Sequence, residues 1–397
     1  MSNRVNLLAP EVRANPYPVY AELRRNAPVS QVDPDGLWVV ARQADVLTVF
    51  KNPQHFSSDG IRQAYRPAWL PDYPLADSML VMDPPHHTRL RAIINRAFGT
   101  SVVARLEPRI REVAHQVVAS LPVGRSVNFV DAFSIWVPIA VLGEMLSLPQ
   151  SLHPRIKHWA EVYGEFTSIG ENDTERQKTI LETVAETRFH FNQVLEDRRR
   201  TPRDDLVSEL LRTHVNGEEL SYTDLMGFLF LLLIGALETA VHLLSSCALM
   251  LQEQPELMAR LRAAPTLIPR FIDEMLRHSG PAHGLFRLNT DEVELGGVRI
   301  PRGARMLLLI ASANRDEAAI PDPDRFDMDR PGPQNLPFGH GIHFCLGAQL
   351  ARMEVRVALE ALLARFARLT PGDGPIQWNA SLVMRGLTQL PLVAHLP

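Results

Sequence analysis

The sequence predicts a mainly α-helical protein with small β-sheets. Two observations carry that prediction: one long apolar segment, and a few short β-patterns separated by proline-rich loops. The 397 residues are 46% hydrophobic and 22% charged, as in globular proteins. Neither a 20–50-residue repeat nor a low-complexity tract divides the chain, so we expect a single domain over residues 1–397. The net charge of −4 gives no reason to expect a nucleic-acid or anionic-membrane partner.

The long apolar segment is predicted to be a helix. It begins at Ser221, where Ser221 and Asp224 match a capping box, and it runs to about Gln254 before Pro255. Its roughly 50 Å would cross the whole domain, and a helix that is apolar on all sides must be enclosed by other helices. The alternative is a membrane span. Glu238 would cost roughly 2.5–3.5 kcal/mol near a bilayer centre, and neither end carries Lys or Arg, so a buried helix is favoured.

Two β-hairpins are predicted on either side of this helix. Val29–Val32 and Leu37–Val40 flank an Asp-Pro-Asp-Gly turn, and Val293–Leu295 and Val298–Ile300 flank a Gly-Gly turn. A weaker β-pattern lies near Leu382–Val393. The β part is therefore small.

Cysteine usage and the N-terminal residues indicate the compartment. The only cysteines are Cys247 and Cys345, too few for a disulfide framework, which favours a reducing cytoplasm. The first thirty residues carry several charges and no apolar core, so we expect neither a signal peptide nor an N-terminal anchor.

The segment from Phe338 to Gly347 has the features of a reactive-cysteine site. Cys345 precedes a helical pattern over residues 348–369, and the N-terminus of a helix stabilises a thiolate. Gly341 can adopt a positive φ, and Gly347 lacks a side chain where a flat cofactor could approach the backbone. The alternative is an inert core cysteine after an ordinary turn.

The spacing Phe338-x-x-Gly341-x-x-x-Cys345-x-Gly347 resembles the cysteine-ligand loop of the cytochrome P-450 family. The resemblance implies the cytochrome P-450 fold, with haem b (iron protoporphyrin IX) between the long helix and the helix after the cysteine loop. Cys345 would be the axial ligand of the haem iron, with Phe338, Gly339 and Gly347 against the cofactor. In this family the thiolate pushes electron density to favour O–O cleavage, so O2 is the expected co-substrate.

A second segment resembles the Glu-x-x-Arg helix of the same family. Glu274 and Arg277 lie at i and i+3, which by itself is a common surface pair. The family completes this pair with a downstream Arg, and Asp324-Arg325-Phe326 nominates Arg325. We expect these three residues to brace the haem-binding core.

The middle of the long helix resembles the family's acid–alcohol pair. Glu238 and Thr239 stand in an apolar stretch, where an acid is costly unless it is paired or functional. The resemblance implies that Thr239 helps to hold dioxygen and that Glu238 relays protons. Ala236 would lie against the haem where the family prefers Gly, and Ala240 stands where a second Thr is frequent. The alternative is a satisfied buried polar pair.

Haem propionates need cationic or hydrogen-bonding partners. By resemblance these are His87 and Arg91, on a helix that begins after two prolines, together with Arg287 and His343. His86 competes with His87, and Arg89 is expected to face solvent. A metal site at the paired histidines lacks further ligands at suitable spacing.

The resemblance implies that the roof of the substrate pocket comes from segments 57–82, 162–188, 281–286 and 382–384 and from the middle of the long helix. An apolar wall predicts a lipophilic substrate such as a terpenoid, steroid, fatty acid or polyketide-like molecule. Any of these side chains could instead belong to the core. The wall candidates are Phe230, Leu233, Ile234, Leu237, Leu285, Phe286, Val383 and Met384.

Electrons are expected from outside the chain, from a ferredoxin and its reductase, because no flavin or iron–sulfur segment follows the cysteine helix. Arg96, Arg352 and Arg356 would form the docking face by resemblance, although a solvated charged face explains them equally well. We expect a monomer. Three alternatives to a monooxygenase remain: a peroxide-driven peroxygenase, a haem sensor or ligand-binding protein on the same fold, and a haem-free helical protein.

Overall fold

The structure is a computed structural model and describes residues 4–164, 166, 169, 172–214, 219–330 and 335–397. It is mainly helical, and short 3₁₀ turns occupy much of the loop over residues 57–82. The α-helices of the described residues are α1 Pro10–Ala14, α2 Tyr17–Asn26, α3 Gln43–Lys51, α4 His86–Ala97, α5 Thr100–Ser120, α6 Trp136–Met145, α7 His153–Gly164, α8 Thr174–Arg200, α9 Leu206–Arg212, α10 Tyr222–Glu253, α11 Pro255–Ala263, α12 Ile268–Ser279, α13 Ile310–Ala313 and α14 Ala348–Arg365.

The strands form small sheets at the edge of the helical core. The largest has the order β1-β2-β8-β5-β3, in which β2 and β8 are parallel and the other pairs antiparallel. The others are β4-β12-β9, β10-β11 and β6-β7. The strands are β1 Val29–Val32, β2 Leu37–Val40, β3 Phe56–Ser57, β4 Ser126–Asn128, β5 Gly284–Asn289, β6 Val293–Leu295, β7 Val298–Ile300, β8 Arg305–Leu309, β9 Arg368–Pro371, β10 Gln377–Trp378, β11 Leu387–Gln389 and β12 Pro391–His395.

The predicted mainly α fold and both predicted hairpins are confirmed. The weak β-pattern near the C-terminus corresponds to β11 and β12. The sequence did not reveal β5 and β8, which join the first hairpin to the rest of the largest sheet. Their pairing is non-local, and β8 is almost completely buried, so no polar–apolar alternation marks it.

Helix α10 is the central element. Ser221 caps it: the Asp224 amide donates to Ser221 Oγ at 3.1 Å, and the Ser221 amide donates to Asp224 Oδ2 at 3.1 Å. It packs against α6, α7, α12 and α14. By length and composition it could cross a bilayer, but 67% of its most apolar window is buried inside the protein. The described residues therefore contain no clear membrane span.

A buried ion pair ties α12 to the segment before the cysteine loop. Arg277 Nε and Nη2 donate to the two carboxylate oxygens of Glu274 at 2.8 and 2.7 Å. Arg277 Nη1 also donates to the carbonyls of Asn314 and Pro323. The Asp327 amide donates to Glu274 at 2.8 Å. The pair thus holds two loop segments against one helix.

The nomination of Arg325 as the third bracing side chain is wrong. Its guanidinium is 67% exposed and pairs with Asp327, and only its carbonyl takes part, accepting from Arg277 Nη2. Arg330 occupies the expected place: its side chain is 12% exposed, and its Nε lies 3.7 Å from Glu274 Oε1. Its Nη2 donates to the carbonyls of Asp322 and Arg325. The chain turns between the two arginines, so sequence proximity to Phe326 selected the wrong one.

Arg277→Ala should leave Glu274 buried and unpaired, at a cost of about 3–5 kcal/mol in the free energy of unfolding. We expect misfolded, haem-poor protein, measured by denaturant unfolding and by haem absorbance per chain. Arg325→Ala is the matched control, and the exposure of its side chain predicts a change within about 0.5 kcal/mol. Equal losses in the two variants would contradict the assignment.

Candidate haem-thiolate site

The cysteine loop is a tight backbone turn that ends at the start of α14. Gly339 and Gly341 both have φ of 71°, a conformation that favours glycine, and the Cys345 amide donates to the Phe338 carbonyl at 3.0 Å. Cys345 is solvent-accessible and precedes Gly347, the N-cap of α14. A Cβ added to Gly347 would meet no protein atom within 4 Å. Protein packing therefore does not explain the glycine there.

The Cys345 thiol has a pKa above its ordinary value because the protein atoms around the sulfur desolvate the thiolate, although the residue itself is exposed. The Gly347 amide, Arg91 and Arg352 oppose this effect without cancelling it. The N-terminus of α14 therefore stabilises the Cys345 thiolate, as expected, but by less than desolvation destabilises it. A cation at the sulfur would supply the missing stabilisation, because coordination to a metal deprotonates a thiol.

Four basic side chains converge beside this loop. His87 lies on α4 and is buried, and its ring centroid is 4.2 Å from that of His343 in the cysteine loop. Arg287, on β5, is buried over the Phe50 ring at 5.8 Å. Arg91, one turn after His87, donates from Nη2 to the Phe344 carbonyl at 2.8 Å.

Charge is concentrated here without a matching set of acids. Burial, reinforced by Arg91, lowers the pKa of His87 to about 4. Burial and then Arg287 and His87 lower that of His343 to about 2. Burial lowers the pKa of Arg287 to about 10. Asp83 is the acid that acts against these shifts at His87 and Arg287.

The residues present fit a haem. Both ring nitrogens of His87 are buried and lack a hydrogen-bond partner, which is costly unless an external group binds them. Two carboxylates, such as the propionates of a haem, would complete the basic cluster. The accessible thiol and the open space at Gly347 suit a flat iron cofactor on the same loop.

Of the two adjacent histidines, the structure buries His87 and leaves His86 half-exposed. His86 instead lies 3.6 Å from Asp224, the capping residue of α10. Arg89, expected in solvent, is 34% exposed and donates to the same carboxylate at 3.2 Å. The expectation for Arg89 is thus wrong, because the start of α10 lies against α4.

The middle of α10 has one open face. Gly235 is exposed, and Glu238 and Thr239 are half-buried, whereas most of the helix is buried. Thr239 Oγ1 donates to the Gly235 carbonyl at 2.8 Å, as a Thr inside a helix does. Ala236 lies beside this face and is also half-buried. The acid and the alcohol therefore project from the same open stretch.

Several pocket-wall candidates belong to the core instead. Phe230, Leu233 and Leu237 are at most 1% exposed. At about 100° per residue they lie at least about 120° around the helix from Thr239. Phe230 packs against Tyr73, Tyr163 and Phe191.

The other candidates divide between two layers. Leu285 faces the cysteine loop, with a methyl 4.0 Å from the Cβ position of Gly339. Phe286 and Val383 pack against the apolar cluster that includes residues of α1 and α2, so neither remains a candidate for the pocket wall. Ile234 and Met384 are half-buried and stay candidates. The proposed roof over residues 162–188 lies partly outside the described residues.

The arginines proposed for partner docking are mostly engaged. Arg352 pairs with Asp273 at 2.8 Å and stacks on Phe338, and Arg356 pairs with Glu107 and Glu360. Arg96 Nη1 donates to the His214 carbonyl at 3.4 Å. These ion pairs cancel most of the positive charge that a docking face would need.

Sequence reasoning missed three functional candidates. Ser58 Oγ lies 3.1 Å from His343 Nε2, and Asp83 accepts from the Ser58 amide at 2.9 Å, so both hold the propionate side of the site. Asp83 precedes the two prolines before α4, a position that could have drawn attention. His242 lies one turn after Glu238, and the i, i+4 spacing was a readable signal.

Comparison with known proteins agrees with this site. The sequence model of the cytochrome P-450 family matches residues 156–391. The chain is 34% identical to vitamin D(3) 25-hydroxylase of Pseudonocardia autotrophica, over 95% of this chain and 93% of that protein. It is also 34% identical to mycinamicin IV hydroxylase/epoxidase of Micromonospora griseorubida, over 94% of each chain. The solved structure of cytochrome P-450 CYP109Q5 from Chondromyces apiculatus is 36% identical, with a TM-score of 0.91 over 100% of both chains.

A cysteine loop at the start of a helix, a basic cluster beside it and an open acid–alcohol face define a haem-thiolate oxidoreductase. The chain belongs to the cytochrome P-450 family and is a monooxygenase that uses haem iron and O2. Like other bacterial members, it acts on a small molecule with electrons from redox partners.

His87→Leu should weaken haem retention, because it removes buried nitrogens that have no protein partner and leaves Arg91 and Arg287 to hold the propionates. We expect at least a tenfold faster transfer of haem to an acceptor such as apomyoglobin, roughly 1.4 kcal/mol. His86→Leu, next in sequence and half-exposed, is the matched control. A wild-type transfer rate in His87→Leu would contradict the role of His87.

Proposed function

We propose that this monooxygenase inserts one oxygen atom from O2 into a lipophilic small molecule, with electrons from a ferredoxin and its reductase. The observation that carries the proposal is the open face of α10, where Glu238 and Thr239 project together from an otherwise buried helix. Haem b, held by Cys345, would supply the oxygen-activating chemistry. A peroxide-driven enzyme would have no use for this acid–alcohol pair.

The chain's own residues would bind and orient the cofactor. The Cys345 thiolate would bind the haem iron, with Phe338 and Gly339 on the same loop, and Gly347 would leave open space beside the sulfur. Arg352 stacks on the Phe338 ring at 4.5 Å, which fixes that side of the loop. His87, Arg91, Arg287 and His343 would receive the propionates.

Glu238 and Thr239 would hold and transfer protons at the open face of α10. The Thr239 hydroxyl donates to Gly235 and keeps its lone pairs free, so it can accept a hydrogen bond while it stays fixed. Glu238 is half-buried, which lets its carboxyl exchange protons with water and reach the open face. The methyl of Ala236 narrows this face and would influence both coupling and the position of oxidation.

The substrate is proposed to be a terpenoid, steroid, fatty acid or polyketide-like molecule. Tyr65, Trp69 and Tyr73 of the 57–82 segment gather around Phe166, with Tyr73 and Phe166 ring centroids 4.9 Å apart. The resemblance assigns this segment to the pocket roof, where such a cluster would exclude water and favour apolar ligands. The names of the relatives, a vitamin D(3) 25-hydroxylase and a mycinamicin IV hydroxylase/epoxidase, support a bulky lipophilic substrate.

We infer that the protein functions as a monomer in the cytoplasm. Two cysteines, one of them buried and one in the haem loop, suit a reducing compartment. The ferredoxin would dock near the cysteine loop, where Arg96, Arg352 and Arg356 are the candidates. Because Arg352 and Arg356 are already paired with acids, docking would rely on shape as well as charge.

The purified protein, reduced and exposed to carbon monoxide, should give the strongly red-shifted Soret band of a thiolate-ligated haem. Cys345→Ser should lose that band while keeping its helical circular-dichroism signal, because Cys345 is accessible and outside the core. Cys247→Ser, at the buried cysteine, is the control and should keep the band. A histidine-type band in the wild type would refute the thiolate site.

Thr239→Ala should keep the haem and divert oxygen to hydrogen peroxide. A positioned proton-transfer group contributes on the order of 10²–10⁴ in rate, so we expect the product-to-peroxide ratio to fall at least about tenfold. Surrogate ferredoxin partners, NADPH and a substrate found by spin-state shift would be used. Thr239→Ser keeps the hydroxyl and should restore most of the ratio. An unchanged ratio in the alanine variant would contradict the assignment.

A further inference from the structure

His242 lies on α10 one turn after Glu238 and contacts it. Its Nε2 is 3.5 Å from Glu238 Oε1, and its side chain is 9% exposed. Both ring nitrogens are buried, and neither has a hydrogen-bond partner among the residues that the structure describes. A buried imidazole with no hydrogen-bond partner is destabilising by about 1–3 kcal/mol, so such a group calls for an explanation.

The ring is held in place by a glycine. Gly386 lies so close that an added Cβ would be 1.8 Å from two atoms of the His242 ring. Only a residue without a side chain fits there. The neighbouring Arg385 amide donates to the Pro281 carbonyl at 2.8 Å, which anchors this loop against the end of α12. The backbone at Gly386 therefore lies directly against the imidazole.

One helical turn further along α10, Ser246 lines a cleft of about 540 Å³ that opens to solvent. The cleft lies between the second half of α10, the end of α12 and the start of α2. Polar or charged groups, among them Glu253, His278, His283, Arg315 and Arg385, line part of the cleft, and apolar side chains such as Met250 and Trp378 line the rest. Because the cleft opens to solvent, water can reach its polar part. Along α10, His242 is four residues from both Glu238 and Ser246, and it therefore lies between the acid and the cleft.

We propose that His242 is a positioning residue that connects this cleft to Glu238 and resupplies its proton. The inference rests on the proposed role of Glu238 and Thr239 in oxygen activation. Protons would then reach Glu238 by two routes. One is direct, from water at the open face, and the other runs along α10 through His242. Neither the Glu-x-x-Arg brace nor the cysteine loop requires a histidine at this position.

The proton transfer is simple to balance. A doubly protonated His242 gives its Nε2 proton to Glu238 Oε1: the N–H bond breaks, an O–H bond forms, and both groups become neutral. The carboxyl then releases this proton at the open face and becomes a carboxylate again. One proton from the water of the cleft, passing Ser246, restores the charged imidazole. No electron moves in these steps.

Replacing His242 tests the route. His242→Phe keeps a ring beneath Gly386 but carries no proton, and His242→Gln keeps a hydrogen-bond donor for Glu238 but cannot become charged. In both variants we expect a product-to-peroxide ratio at least about tenfold lower and a larger solvent deuterium isotope effect on product formation. Haem content and the carbon-monoxide spectrum should be unchanged. A wild-type ratio in either folded variant would overturn the inference.

Two neighbouring serines provide a matched pair. Ser246→Ala removes the hydroxyl that lines the cleft and should lower the ratio in the same direction as the His242 variants. Ser245→Ala removes a buried hydroxyl that does not line the cleft and should leave the ratio unchanged. Equal effects of the two substitutions would indicate loss of packing and argue against the route.

A measurement without turnover tests the contact itself. In protein with ¹⁵N-labelled histidine, reduced and bound to carbon monoxide, the signal that disappears in His242→Gln identifies His242. That signal should shift in Glu238→Gln and stay in place in Glu256→Gln, whose side chain is on exposed α11 surface. An unmoved signal in Glu238→Gln would show that the two side chains do not interact.

The two proposals fail in different ways. A wild-type protein that yields no oxygenated product with any partner would remove the proposed function, whatever His242 does. A wild type that couples oxygen to product, with His242→Phe coupling equally well, would remove only the route through His242.

Discussion

The burial of α10 is the constraint on which the rest of the structure depends. Its apolar residues can be covered only by other helices, and α6, α7, α12 and α14 supply that cover. Because α14 begins at the cysteine loop and α12 carries the Glu274–Arg277 pair, packing against α10 fixes both relative to one another. The Ser221 capping box sets where the helix starts and therefore which residues face each neighbour.

The basic cluster beside the cysteine loop makes sense only with a partner outside the chain. Burial and the neighbouring arginines disfavour the charged forms of His87 and His343, and burial lowers the pKa of Arg287. Asp83 opposes only part of the effects at His87 and Arg287. Burying basic groups in this way reduces stability unless a ligand that binds them restores it. The same arrangement would explain why the protein should be less stable without haem than with it.

The sequence predicted the parts of this protein that local chemistry determines. The bounds of both hairpins and the start of α10 follow from turn and cap residues, and the cysteine loop follows from its glycines. What failed depends on the chain's path in three dimensions. Arg325 and Arg330 are five residues apart and similar in context, and only the turn between them decides which guanidinium reaches Glu274. The family resemblance placed Phe230, Leu233 and Leu237 in the pocket wall, although helical phase directs them into the core.

Helical phase also shows that the polar residues in the second half of α10 lie on one side of the helix. At about 100° per residue, Gly235, Glu238, Thr239, His242, Ser246 and Glu253 fall within an arc of roughly 100° on one side of the helix. Polar residues scattered around a buried helix would each need a separate hydrogen-bond partner. Polar residues that share one side of the helix can instead be satisfied by water along that side. The stripe of polar residues begins at the open face of α10 and ends at the cleft beside α12 that opens to solvent. Helix α10 is therefore mostly apolar, as its burial requires, but it keeps one stripe of polar residues. A stripe of this kind can transfer protons.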